Sequence, residues 1–174
     1  STQDIVNGDA IIDDCMIEIG SKKIDKHYKE WMQIWAELTT PESKTLAYKN
    51  MTGSFSHSLN KTDTTSPVGS NLIQIPILFW FCRNPGLALP VIALQYHEIK
   101  IKITLGLSTD IGTSSNACVA EIKLFVDYIY LDTDERRRFA QVSHEYLIEQ
   151  LQRVESTNDV KHNLNLNHPV KEII

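Results

Sequence analysis

An all-β sandwich or jelly roll, with two short inserted helices and one late helical turn, is the fold this sequence predicts. Three observations predict it. Residues Ile75 to Glu98 form an apolar run interrupted by Arg83-Asn84-Pro85-Gly86 and by Pro76 and Pro90. Segments 95–105 and 117–131 alternate apolar and polar residues with the period of a strand. The strand-like segments are not separated by regular helices, which excludes a doubly wound parallel sheet and leaves a sandwich or jelly roll.

The run at 75–98 is long enough to raise the question of a membrane span. A spanning helix needs about 20 uninterrupted apolar residues, and the Arg-Asn-Pro-Gly break denies it that length. The run instead predicts two strands buried on both faces and joined by that turn.

Along the chain, Asp14 to Gly20 sets Cys15, Ile17 and Ile19 against Met16 and Glu18, the pattern of a strand. Asp25 suits the N-cap of a helix running to about Leu38. Its apolar positions Tyr28, Trp31, Met32, Trp35 and Leu38 are three and four apart and share a face. Thr40-Pro41-Glu42 signals a second, short helix ending near Asn50. Residues 52–70 turn to Ser, Thr, Asn, Gly and Lys, a long exposed loop.

Beyond the loop, Leu72 to Phe81 is apolar on both parities, as in a strand covered on both faces. Gln95 to Leu105 places Ile99, Ile101, Ile103 and Leu105 opposite Glu98, Lys100, Lys102 and Thr104. A half-exposed antiparallel strand has that alternation. A polar loop at 106–116 leads into a long strand, 117–131, with Cys118, Ala120, Ile122, Leu124, Val126, Tyr128 and Tyr130 on one face. Asp132 or Thr133 starts a helical turn to Ala140. His144 to Gln152 satisfies both the helix and the strand template; its shortness and β neighbours favour strand. Val160 to Asn167 alternates as a strand.

The 174 residues amount to one domain, long enough to bury a core. A formal net charge of -5 provides no basic footprint for direct nucleic-acid binding. Arg136-Arg137-Arg138 lies beside Asp132, Asp134 and Glu135, a self-neutralising surface with acids at a helix N-terminus. Cys15, Cys82 and Cys118 are far apart in apolar segments, which suggests reduced, buried thiols of a cytosolic protein. No signal peptide and no plausible transmembrane helix is found. The absence of an initiator Met and the strand-like close at Pro169 to Ile174 suggest an excerpt of a longer chain.

Motifs of catalysis and cofactor binding fail one by one. Gly106 to Gly112 lacks the Lys-Ser/Thr of a phosphate loop, and neither G-x-G-x-x-G nor G-x-S-x-G occurs. His97 and Glu98 are adjacent on a strand and point to opposite faces. His162 and His168 have no metal-ligand spacing. His27 and Glu30, three apart on the expected helix, read as a surface pair, and His144-Glu145 offers no stronger acid–base case. Asp132, Asp134 and Glu135 lack the Gly and distal Glu of a calcium loop. The Tyr28-Trp31-Trp35 stripe reads as helix-to-sheet packing in preference to a base or sugar platform. Asn50-Met-Thr52 and Asn60-Lys-Thr62 match the glycosylation pattern, which matters only in a secreted chain. No catalytic, cofactor-binding or metal residue is assigned.

Three segments carry a resemblance. They are Ile17-Glu-Ile-Gly20 with Ile24-Asp-Lys-His-Tyr28 and Trp31; Phe79 to Pro90 with Ala93 to Glu98; and Val126 to Ala140 with His144 to Gln150. In that order they resemble the major capsid protein family of large icosahedral nucleocytoplasmic DNA viruses, of the algal-virus (phycodnavirus) or giant-virus type. The resemblance implies a non-enzymatic shell subunit in the virion, assembled in the host cytoplasm. It implies a double jelly roll that forms a homotrimer and a pseudo-hexagonal capsomer, contacting neighbouring capsomers and minor capsid proteins. Residues 1–174 would then be a single, incomplete N-terminal jelly roll, without its opening strands and without the second jelly roll. The same architecture also hosts carbohydrate-binding modules, hydrolases and interaction domains of larger proteins, which form the alternative.

Overall fold

The computed structural model describes residues 11–52, 72–106, 121–154, 161 and 164–174. The expected loops at 52–70 and 106–116, apart from Thr52 and Gly106, lie outside these residues. So do Cys118, Asn60, His162 and the start of the 160–167 strand.

The centre of the fold is a three-stranded antiparallel sheet of order β2-β1-β3, with β1 at Ile12–Ile19, β2 at Lys22–Tyr28 and β3 at Ile99–Leu105. Gly20 and Ser21 join β1 to β2 with φ of 57° and 65°. A two-residue hairpin turn of the favoured hand needs positive φ at both positions. Gly20 is required on a second count. A Cβ there would lie 2.6 Å from Nδ1 of His97, and the Gly20 amide donates to the Glu98 carbonyl at 3.0 Å.

Register explains which side chains are buried. Cys15 faces His27 on one side and Ile103 on the other, and Ile17 faces Asp25 and Ile101. Ile12 pairs with Leu105 and Asp14 with Thr104, so Asp13 is the extra residue of a bulge. That bulge shifts the parity and turns Ile12 to the same face as Cys15. Phe79 and Trp80, at 1% and 3% exposure, cover this face and complete a core with Ile12, Cys15 and Ile17. Ile75, Ile77, Phe81, Ile99, Ile101 and Ile103 pack around it. The opposite face of the sheet is polar. Asp14 pairs with Lys26 at 2.8 Å and accepts from Thr104 at 3.0 Å, and Glu18 pairs with Lys102 at 2.7 Å. The hydrogen bond that the Lys26 ammonium donates to Asp14 holds it above its usual pKa. Of the strand expected over 95–105, residues 99–105 form β3 with the alternation read, whereas 95–97 are turn and bend and Glu98 precedes the ladder.

Helices α1 (Lys29–Thr39) and α2 (Glu42–Thr52) follow β2, with Pro41 between them. Pro41 biases Thr40 out of the helical region, and Thr40 has φ -82°, ψ 117°. A short α3 (Trp80–Arg83) and a 3₁₀ turn at Pro85–Leu87 lie between α2 and β3. Helix α4 (Thr133–Gln141) comes late, capped by Asp132, whose carboxylate accepts from the Thr133 amide at 2.7 Å. The second inserted helix and the late one stand where they are expected, and the first starts later, at Lys29.

Several strand expectations are corrected. Residues 22–28 are strand, not the start of a helix, and Asp25 is no N-cap: it is buried in β2 and α1 starts at Lys29. The strand expected over 72–81 does not form: Leu72 and Gln74 are exposed, residues 75–79 are sheltered on both parities but carry no ladder, Pro76 having no amide to give to one, and Trp80 and Phe81 open α3. The Arg-Asn-Pro-Gly turn is present: Asn84 caps it, its side chain accepting from the Gly86 amide at 2.9 Å. No second core strand follows. Pro90 begins a series of turns instead, with the Ala93 amide donating to the Pro90 carbonyl at 2.9 Å. Residues 121–131, 144–152 and 164–167 carry neither helix nor ladder among the described residues. Cys82 is exposed, not buried.

Because the core closes on one aromatic plug, its truncation is costly. Phe79→Ala should lower stability by about 3–5 kcal/mol, the range for an aromatic side chain deleted from a core. Guanidinium unfolding followed by Trp fluorescence measures this.

Candidate functional site

The groups with reactive chemistry are dispersed or engaged. No cluster of three or more His, Cys, Asp or Glu side chains able to hold a metal occurs among the described residues, and no described helix is long and apolar enough to cross a membrane. His97 packs against Gly20. His144 stacks on Phe139 at 4.9 Å, and its Nε2 lies 3.0 Å from the Phe139 carbonyl. Cys15 is fully buried, and desolvation pushes its thiol pKa up to about 12, with smaller contributions from Asp14 and Asp25.

His27 and Glu30 are not a pair. Glu30 lies 3.6 Å from Arg153 at the surface, whereas His27 is buried in β2 with its Nε2 2.9 Å from Asp25 Oδ2. The His27 ring rests on Phe79 at 4.6 Å. This buried Asp–His pair escaped the sequence reading. Its trace is the i, i+2 spacing of Asp25 and His27, which puts both on one face of a strand. A second constellation also escaped it. The Arg83 guanidinium lies over the Trp35 ring at 4.1 Å and pairs with Glu149, which also binds Lys171 at 2.7 Å. The Lys171 hydrogen bond is the main reason the Glu149 carboxyl sits below its usual pKa.

The aromatic stripe of α1 is packed, as expected. Trp31 and Trp35 lie 5.5 Å apart, and the gap they share with His27, Met32, Tyr48, Pro76 and Leu78 has a volume of about 10 Å³. That is room for at most one water, not for a sugar or a base. The Asn50 acceptor pattern sits inside α2, and its Thr52 is fully buried with the hydroxyl donating to the Tyr48 carbonyl at 3.1 Å.

Arg136, Arg137 and Arg138 lie on the exposed α4, where Arg137 reaches Asp134 at 3.7 Å. An exposed pair of this kind contributes about 0–1 kcal/mol. Residues 121–130 are exposed at every position. Phe125 and Tyr130 are 86% and 94% exposed, with Ile122, Leu124, Val126, Tyr128 and Ile129 also exposed. The geometry therefore offers broad apolar and charged surfaces, with no reaction centre among the described residues.

A family model described as the major capsid protein N-terminus matches residues 3–132. The chain belongs to that family. The major capsid protein of Pyramimonas orientalis virus is 52% identical over 168 residues, covering 96% of this chain and 42% of that protein. Capsid protein 1 of Acanthamoeba polyphaga mimivirus is 40% identical, covering 95% of this chain and 31% of that protein. Among solved structures, PBCV-1 VP54, fitted into a reconstruction of the virophage Sputnik, superposes with TM-score 0.62 at 36% identity. That match covers 84% of this chain and 36% of VP54. A quasi-atomic model of the PBCV-1 virus capsid matches with TM-score 0.60 at 33% identity, covering 86% of this chain and 38% of that one. The major capsid protein neighbours are of the jelly-roll type, the class expected from the sequence. The chain spans about two fifths of the length of its relatives.

The Cys15 environment yields a pH test. The folded thiol ionises at about 12 against 9.0 for an ordinary thiol, so the folded state holds its proton more tightly. Stability is then complete below about pH 9 and falls as pH rises toward 12. Denaturant unfolding of the native chain across that range should show the fall, and Cys15→Ala should flatten it.

Proposed function

We propose that this capsid-family chain is part of a structural subunit of an icosahedral virus shell. The observation that carries the reading is the match of 96% of the chain to a relative named as a major capsid protein. The surface supports it. Edge-forming backbone and apolar side chains exposed together at 121–130 are what a protein leaves for another strand or subunit to cover. In this reading residues 1–174 belong to an incomplete first jelly roll of a double jelly roll. Opening strands and the second jelly roll come from the rest of the polypeptide, and the covering strand at 121–130 comes from there as well.

The full protein forms a homotrimer, a closed ring in which one patch of each subunit meets a different patch of the next. These pseudo-hexagonal capsomers contact one another and minor capsid proteins in a virion assembled in the host cytoplasm. The subunit does no catalysis and takes no cofactor, because its role is to hold shape. A carbohydrate-binding reading needs an exposed aromatic platform; the α1 stripe is closed by Arg83 and by packing against Pro76 and Leu78, and the exposed Phe125, Tyr128 and Tyr130 lie on the segment that this reading gives to a covering strand.

Full-length protein examined by light scattering and electron microscopy should give trimers and shell-like arrays. Reversing the charges of Arg136, Arg137 and Arg138 should lower the trimer mass if α4 lies at the subunit contact. A wild-type monomer that binds a glycan array would overturn the shell reading.

A further inference from the structure

A carboxylate buried at an otherwise apolar core face demands a reason, and Asp25 is 3% exposed. It accepts two hydrogen bonds at 2.9 Å, from the Lys26 amide and from the Leu151 amide, and its other oxygen lies 2.9 Å from Nε2 of His27. The Leu151 donor is 126 residues away in sequence. Beside it, the Gln150 side chain donates to the Ile24 carbonyl, and the Arg153 guanidinium lies over the Tyr28 ring at 4.8 Å. Residues 150, 151 and 153 thus meet 24, 25 and 28 in the same chain direction.

β2 is an outer strand of the described sheet, with one edge toward β1 and the other open. Residues 150–153 meet β2 through these contacts, without a ladder of their own. A ladder fixes register by repeated backbone bonds, and here that device is missing. We propose that the Asp25–His27 pair is a register latch: the buried carboxylate selects the Leu151 amide and so fixes where residues 150–153 dock on β2. A slip of one residue would leave a buried carboxylate short of a donor, a costly state that an apolar pair would not impose. His27 orients the carboxylate from below, its own ring held by Phe79. The inference stands apart from the shell reading, because it concerns only how this chain sets its own register.

Hydrogen exchange in the full-length protein, read by mass spectrometry on peptides covering 145–154, tests it. In Asp25→Leu/His27→Leu, protection of that segment should fall by about tenfold or more, the scale of losing a hydrogen bond to a charged group. β1 and β3 should keep their protection. Asp25→Asn, which retains an acceptor oxygen, should preserve most of it. Unchanged protection at 145–154 in the double variant would overturn the latch. A double variant that fails to fold would overturn it too, since the pair would then be serving stability and not register.

Discussion

The covering of one face of β1 by Phe79 and Trp80 is the contact on which the rest of this structure depends. β1 is the central strand, and its Ile12, Cys15 and Ile17 are sealed only when that aromatic pair closes over them. The strand is adapted to the cover. A bulge at Asp13 re-aims Ile12, and a hairpin turn at Gly20-Ser21 brings β2 alongside. Once closed, the plug orders its surroundings: His27 stacks beneath Phe79, Trp31 stands edge-on to His27, and Arg83 at the end of α3 reaches Trp35 on α1. One apolar closure thereby ties the sheet, the helical insertion and the long apolar run together.

What the sequence made legible follows the same physics. β1 and β3 were readable because their inner positions are apolar and their outer ones charged, so period and burial agree. The starts of α2 and α4 were readable because Pro41-Glu42 and Asp132 act locally, although Thr40 closes α1 and does not cap α2. β2 was not, since its inward residues are Asp25 and His27, and buried polar side chains mimic the signature of a helix cap and a surface pair. Hydrophobicity is silent where a core position is polar. The run at 75–98 misled in a different way. Its apolar character correctly implied shelter at 75–81 and 87–90, whereas most of 91–98 is exposed; shelter does not require a ladder, and Pro76 and Pro90 turn the chain away from one. The Asp25–Leu151 contact joins residues 126 positions apart, a distance no local pattern reports.

A subunit made for a shell needs surfaces that remain unsatisfied until assembly. Here the polar face of the sheet is neutralised internally by Asp14, Lys26, Glu18 and Lys102, so it makes no strong demand on a partner. Segment 121–130 holds seven exposed large apolar side chains in ten residues, a continuous stretch suited to completion by another strand. The family relationship and this distribution of exposed surface point the same way, and neither depends on the other.

The central claim is that segment 121–130 is a strand completed by the rest of the shell subunit. A cryo-EM map of the assembled full-length protein, at a resolution that traces the backbone, tests it most directly. The account predicts residues 121–130 hydrogen-bonded in a ladder, with Phe125 and Ile129 covered. A well-ordered map in which that segment lies bare to solvent, paired with no strand, would contradict it.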